Sequence, residues 1–378
     1  MLSRAWPTGH ACRSYATRNN FVPARRSSAV ATAKHHDPLH VLFCGADDFS
    51  IYSLRALHEL QKKCADKIES IDVVCRPDKR VGRGLKQVQE VPIKGVATEL
   101  GLKLHQIDTF KGWLPPTPFD LIVTVSFGLL VPARIIKGAR YGGLNVHPSL
   151  LPEFRGPAPI QHTLLQRRTL SGVTLQTMHP TKFDHGMVLD QTRTNLPLDS
   201  RYQDLVELLA PLGAKLLAKG IYDGVFIPPL QECGNSEREV IPSHAPKITP
   251  EDRHIDWRTW TAEDIILRDR VLGRLWDNTT YGLCMHPDRS SLPLHRRATF
   301  HGPWRVEQGA GGSSSLAEGR PGTPLLSKCD TPSQFGIVTA DNRLVVPAEI
   351  TIEGESRLGG QKKLTHVIKA FGRKSHHC

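Results

Sequence analysis

The sequence predicts an α/β protein, a doubly wound parallel sheet followed by a small β-barrel (OB-like) C-terminal domain. Two observations carry the prediction. From residue 40 to about residue 217, short apolar runs alternate with segments of helical periodicity, the order that builds a parallel sheet with covering helices. From about residue 231 the texture becomes polar and proline-punctuated, and short strand-like runs then follow.

The elements follow in order. Residues 40–44 are an apolar strand, and residues 53–63 carry Leu54, Leu57 and Leu60 at helical spacing. A second strand is expected at 71–75 and a helix at 92–100. Residues 120–126, DLIVTVS, are nearly continuous and β-branched, as a strand buried on both faces would be. Residues 143–147 make a short strand ending at Pro148; a helix around 161–167 and a strand over 172–179 come next. Residues 202–217 are helical, with Pro211 expected to start a second segment. Beyond the polar stretch, strands are expected at 298–305, 336–339 and 343–352, and the Gly/Ser-rich run 308–322 reads as a mobile loop.

Length and composition bound the function. A chain of 378 residues has room for two domains, and 39% hydrophobic with 23% charged residues is ordinary for a globular protein. No apolar run is long enough to span a membrane, so no membrane partner is expected. The net charge is +12, and residues 1–36 supply half of it with five Arg, one Lys and no acid. That leader is also rich in Ser and Ala, which fits a mitochondrial transit peptide better than a secretory signal. None of the eight cysteines forms C-x-x-C, and no Cys/His set has zinc-finger spacing, so neither a metal site nor disulfides are expected.

The stretch NVHPSLLPEFRGPAP, residues 145–159, carries the chemistry. Positions i and i+2 of a strand share a face, so Asn145 and His147 would project together from a strand end. An amide that donates and accepts, beside an imidazole that holds or releases a proton near neutrality, suits a carbonyl under attack by an amine. An N-x-H pair alone is commonly just a polar strand end. Asp184, in KFDHG, follows a strand and precedes the flexible Gly186; an isolated Asp before Gly is most often a turn residue, whereas a functional carboxylate would orient His147 and stabilise its protonated form. Neither FCGADDFS (43–50) nor Gly82-Arg83-Gly84 has the spacing of a dinucleotide or phosphate loop. The segment RPDKRVGRGLKQVQEVPIK (76–94) is an expected exposed, flexible basic loop that fits either a solvated charge run or contact with nucleic-acid phosphates. The acid-free run from residue 356 to the end adds a second basic surface.

Taken together, these motifs resemble the folate-dependent formyltransferases. GGLNVHPSLLPEFRGPAPIQ is similar to their Asn-x-His…Ser-Leu-Leu-Pro-x-x-Arg-Gly signature, and FCGADDFS and SFGLLVP (126–132) resemble two further blocks. The basic loop and APKITPEDRHIDW (245–257) resemble the branch that acts on methionyl-tRNA, and the likeness runs with gaps from about residue 39 to 365. The resemblance implies a formyl donor, 10-formyltetrahydrofolate, and an acceptor, the α-amine of initiator methionyl-tRNA, in the mitochondrial matrix. It implies Asn145, His147 and Asp184 as catalytic, and Ser149, Leu150, Leu151 and Pro152 as lining the folate site. Lys79, Arg80, Arg83 and Lys86 would contact tRNA. The expected organisation is a transit peptide (1–36), a catalytic domain (37–230), a linker (231–246) and a tRNA-binding β domain (247–378), in a monomer. Two departures stand out: Pro148 is familiar in the glycinamide ribonucleotide branch, and KFDHG replaces L-D-T-G, with no role for His185. Transfer to a small amine, hydrolysis of the folate, and an RNA-binding protein on an inactive enzyme fold are the competing readings. The first would not need the basic surfaces, the second could reuse the same trio with water as the nucleophile, and the third has no use for the Asn-His-Asp trio.

Overall fold

The computed structural model describes residues 34–233, 241–285, 296–307, 320–327, 334–356, 362 and 364–366. The N-terminal elements are β1 (Leu39–Gly45), α1 (Asp48–Lys63), β2 (Ile68–Cys75), the hairpin β3 (Lys79–Val81) and β4 (Gln87–Gln89), α2 (Pro92–Glu99) and β5 (Lys103–Gln106). There follow β6 (Leu121–Val125), α3 (Ala133–Ile136), β7 (Gly143–His147), α4 (Pro159–Leu165), β8 (Leu170–Thr177), β9 (Val188–Asn195) and α5 (Tyr202–Asp223). Beyond them lie α6 (Ala262–Leu272), β10 (Leu275–Asp277), α7 (Thr280–Met285), β11 (Ala298–Glu307), β12 (Pro324–Leu326), β13 (Phe335–Val338) and β14 (Leu344–Ile352).

The large sheet has the order β5-β2-β1-β6-β7-β8-β9. It is parallel from β5 to β7, and β8 and β9 then run antiparallel. Alternation along the strands feeds two cores. Val41, Phe43, Val73 and Val123 face α1 and α5, while Leu42, Cys44, Val74 and Ile122 face α3 and its flanking loops. Both faces are therefore dry, which is why the strands read as continuous apolar runs. The chain runs outward from β1 through β2 to β5, then returns to β6 on the other side of β1. That reversal opens a crevice at the carboxyl ends of β1 and β6, where an open α/β sheet takes its ligands.

Several expectations need correcting. Pro211 does not start a new segment: α5 is one helix of 22 residues with Pro211 inside it. Pro211 and Glu207, whose carbonyl loses its partner, are both on the solvent side, so water can take that carbonyl while Ala210, Gly213 and Ala214 keep the buried face. The basic loop is not wholly irregular, because Lys79–Val81 pairs with Gln87–Gln89. The strands β5 and β9 and the helix α6 escaped the sequence reading; β9 is polar on its exposed positions and therefore lacks the apolar run of its neighbours. The transit-peptide segment lies outside the described residues except for its last three, and most of run 308–322 is outside them too.

The C-terminal strands form one antiparallel sheet, β10-β11-β14-β13-β12, over a core of Trp257, Phe300, Phe335 and Ile350. Helix α6 starts with a reciprocal cap between Thr261 and Asp264. Its Leu267, Val271 and Leu272 join the core under the large sheet, whereas Ala262 and Ile265 join the smaller one. Arg167 on Asp264 and Arg270 on Asp199 tie the two parts at the surface.

Candidate active site

The crevice is a cavity of about 860 Å³. Its walls include Asp47 and Phe49 after β1, Ser126–Val131 after β6, Asn145–Pro148 at the end of β7, and the loop between β8 and β9. Asn145 and His147 share a face of β7, and that face is opposite to Leu144 and Val146, which pack into the core beneath α5.

Asn145 sits in a row that crosses three strands, with Thr124 beside it on β6 and Gln176 beside it on β8. The Thr124 hydroxyl donates to Asn145 Oδ1 at 3.0 Å. The amide nitrogen must then point the other way, and it donates to Asp184 Oδ1 at 3.2 Å. Gln176 Nε2 donates to the same oxygen at 3.1 Å, and its Oε1 accepts from the Gly186 amide at 3.2 Å. The other carboxylate oxygen accepts from the Gly156 amide at 2.9 Å.

His147 is buried, and its Nδ1 lies 3.4 Å from Asp184 Oδ1. Nε2 is 2.9 Å from the carbonyl of Phe154. A carbonyl can only accept, so Nε2 carries a proton. The second proton of an imidazolium would lie on the side of Asp184. The three residues singled out in the sequence are thus brought together, with Asp184 at the centre.

The supporting loop is held from below. Phe154 donates through its amide to Ser243 Oγ at 2.9 Å, and Arg155 exchanges backbone bonds with Ser243 and Ala245 at 2.9 and 2.7 Å. The expected linker is therefore partly a brace, and Pro242, Ser243 and His244 reach the cavity wall. Gly156 has φ +121°, and a Cβ there would meet the Ala245 carbonyl oxygen at 2.6 Å. Gly186 is not a flexible joint either: a Cβ would lie 1.6 Å from the Thr177 carbonyl oxygen.

Ser149, Leu150, Leu151 and Pro152 are not among the residues that wall this cavity. Their polar groups are spent on the loop itself. Thr174 Oγ1 donates to the Ser149 carbonyl at 2.7 Å and accepts from the Leu151 amide at 3.1 Å, and Gln191 Nε2 holds the Leu151 carbonyl at 2.8 Å. The Ser149 hydroxyl donates to the Glu153 carbonyl, and Leu150 packs towards Gly172. Apolar wall is supplied instead by Phe127–Val131 and by Pro157, Pro159 and Ile160.

Asp47 caps α1 by accepting from the Ser50 amide at 3.1 Å. Burial raises its carboxyl above the ordinary value of 3.8, against the lowering effect of hydrogen bonds from Ser50 and Ser126. His185 is exposed on the β8–β9 loop; desolvation, then the fields of Arg155, Lys182 and His179, lower its pKa from 6.5. Lys79, Arg80 and Lys86 are exposed on the hairpin and are not among the residues of the cavity wall, and Arg83 opens the short 3-10 turn at the hairpin's tip. Sequence reasoning missed Thr124, Gln176 and Gly156. Only Thr124 carried a signal, as the one polar residue of an otherwise apolar strand; Gln176 shares β8 with Ser171, Thr174 and Thr177 and does not stand out.

Residues 41–220 match the Formyl transferase family. The chain is 34% identical over 278 residues to the mitochondrial methionyl-tRNA formyltransferase of Saccharomyces cerevisiae, covering 63% of this chain and 69% of that protein. It is 35% identical to the mitochondrial enzyme of that name from Bos taurus, covering 68% of this chain and 64% of the relative. Among solved structures, an N-formyltransferase of Helicobacter canadensis aligns over 81% of this chain and 98% of its own with a TM-score of 0.48 and 16% identity.

Proposed function

The chain belongs to the methionyl-tRNA formyltransferase family, and we propose that Asn145, His147 and Asp184 are the residues with which it moves a formyl group from 10-formyltetrahydrofolate to the α-amine of methionyl-tRNA. The product primes translation in mitochondria, where the curated relatives act. The observation that carries the site is the convergence of three donors and His147 on one carboxylate at the floor of the cavity.

In this reading the amine attacks the formyl carbon, the C–N bond forms and an oxyanion develops. Asn145 has one amide hydrogen on Asp184 and a second without a partner among the described residues, which suits it to donate to that oxygen. His147 contributes through its charge, held beside Asp184, and would have to leave the Phe154 carbonyl to reach the oxygen itself. With both ring nitrogens of His147 protonated, the Asp184 carboxylate is the base: it takes the amine proton, by way of water, and the folate N10 takes a proton as its bond to the formyl carbon breaks. The apolar wall of Phe127–Val131, rather than residues 149–152, is the fitting place for the folate ring. No group of three or more metal-ligating side chains occurs among the described residues, and the reaction as written uses none.

The finer organisation belongs to the same reading: catalytic residues 37–230, a linker at 231–246, and residues 247–378 as an OB-like β domain that binds tRNA, in a monomer. Five antiparallel strands support the last assignment. Lys79, Arg80, Arg83 and Lys86 on the hairpin would meet phosphates of the acceptor stem. The deciding experiment is formylation of methionyl-tRNA by wild type and His147→Ala, with glycinamide ribonucleotide as the alternative acceptor. Formyl-methionine from the wild type alone supports the reading; transfer only to the small amine overturns it.

A further inference from the structure

Composition assigns residues 1–36 to a leader, yet Lys34 and His36 are built into the fold. Helix α5 ends at Asp223, followed by a left-handed Gly224 at φ +68°, and the segment from Lys34 to Asp37 lies against that end. The Lys34 amide donates to the Asp223 carbonyl at 3.0 Å. Its Nζ donates to the carbonyls of Ile227 and Pro229 at 2.5 and 2.7 Å. Nε2 of His36 donates to the Ile221 carbonyl at 3.3 Å. Ile221 and Asp223 belong to the last turn of α5, whose carbonyls have no partner within the helix. The His36 ring, 4% exposed, meets Phe226 edge-on at 5.3 Å, and Phe226 meets Tyr141 at 5.1 Å. Asp37 closes the segment by accepting from Arg140 at 3.0 Å. Gly224 is fitted to this neighbour, since a Cβ there would lie 2.7 Å from the Lys34 carbonyl oxygen. A lysine at a helix C-terminus is also the charge that the helix dipole favours.

We propose that maturation leaves these residues in the protein: the leader is cut at or before the Ala33–Lys34 bond, and Lys34–Asp37 form a clasp on the end of α5. The inference rests on the mitochondrial reading of the leader and shortens it. A processing endopeptidase hydrolyses the bond with one water, leaving a carboxylate on the leader and an ammonium on the mature chain. A cut after His36 would strip the Ile221 and Asp223 carbonyls of the donors they have here and uncover Phe226. A cut at Ala33–Lys34 costs none of these bonds. It would set the new ammonium where the Lys34 amide now donates, at the negative end of α5. The clasp bears on the site because α5 backs the catalytic strand: a Cβ on Gly213 would lie 2.9 Å from Val146, the residue between Asn145 and His147.

The test imports the full chain into isolated mitochondria and reads the N-terminal residue of the product by mass spectrometry. A shortened product that starts at Lys34 or upstream of it supports the proposal. A product that starts at His35 or later overturns it, and so does an imported chain that keeps its whole leader. The clasp is tested separately by thermal unfolding of the full chain and of two variants. Lys34→Met keeps most of the stem but removes the charge and the donors of Nζ; His36→Ala removes the bond to Ile221 and the ring on Phe226. Each should lower Tm by about 2–4 °C. Either variant melting with the wild type would overturn the clasp. A chain that is not imported at all takes down the mitochondrial reading and the cut with it, while the melting curves still decide the clasp.

Discussion

His147 and Asp184 face one another at 3.4 Å, Nδ1 to Oδ1, while the opposite ring nitrogen of His147 is pinned to the Phe154 carbonyl at 2.9 Å. The ring can neither rotate nor slide without breaking a buried hydrogen bond. Asp184→Asn keeps the shape of the carboxylate but removes its charge from the ring. We expect kcat for formyl transfer to fall by about a hundredfold or more, with KM for methionyl-tRNA nearly unchanged and the circular dichroism spectrum intact. An undiminished kcat would remove the carboxylate from the mechanism.

Asn145 depends on Thr124 for its orientation. Asn145→Ala removes a donor that sharpens as charge develops, and should cost about 10²–10³ in kcat. Thr124→Val leaves the amide in place but frees it to flip. The expected loss is smaller, about tenfold, corresponding to about 1.4 kcal/mol of misorientation. Comparable losses in the two variants would mean that Thr124 does more than orient Asn145. Steady-state assays of both variants on one tRNA preparation decide it.

Gly156→Ala combines a φ that L side chains rarely adopt with a clash on the Ala245 carbonyl. The strain alone should cost about 1–3 kcal/mol, and any relief moves the amide that donates to Asp184. Thermal unfolding should show the lower Tm, and kcat should fall with it. A variant as stable and active as wild type would show that the brace from residues 243–245 yields easily.

Asp47 links pH to stability. Its folded-state pKa is raised by burial, so the folded protein holds this proton to a higher pH than the unfolded chain does. Its contribution is therefore most favourable below pH 3.8, declines as pH rises through the folded value, and remains as a cost near neutrality. Asp47→Asn keeps an acceptor for the α1 cap without the charge. The variant should melt above wild type at pH 7, and the gain should shrink in acid towards pH 4. A gain that is constant with pH would place its origin elsewhere.

The hairpin offers an electrostatic test. Lys79→Ala, Arg80→Ala and Lys86→Ala should each raise KM for methionyl-tRNA and lower the slope of log KM against log salt by about one. Activity on a small formyl acceptor, if any, should be untouched. A slope that does not change would leave these residues as solvated charge.

Much of this protein is legible in its sequence, and the reason is local. The strand at 143–147 is bounded by Gly143 and Pro148, and a repeat of two puts Asn145 and His147 on one face wherever that strand goes. The strands around Val41, Val73 and Val123 show themselves as apolar runs because both faces are buried. The basic character of 76–94 needs no structure to be seen. Where local signals conflict the reading falters: Pro211 looks like a break, yet its solvent-side position lets α5 continue.

The tertiary structure decided what lies across strands. Strand register puts Thr124, Asn145 and Gln176 in one row, and the turn after β8 brings Asp184 back onto it. The same register turns residues 149–152 away from the cavity and onto Thr174 and Gln191. Periodicity tells which face of its own strand a side chain occupies. It does not tell which residue of the neighbouring strand stands beside it, because pairing partners far apart in the chain are chosen by the packing of the whole sheet.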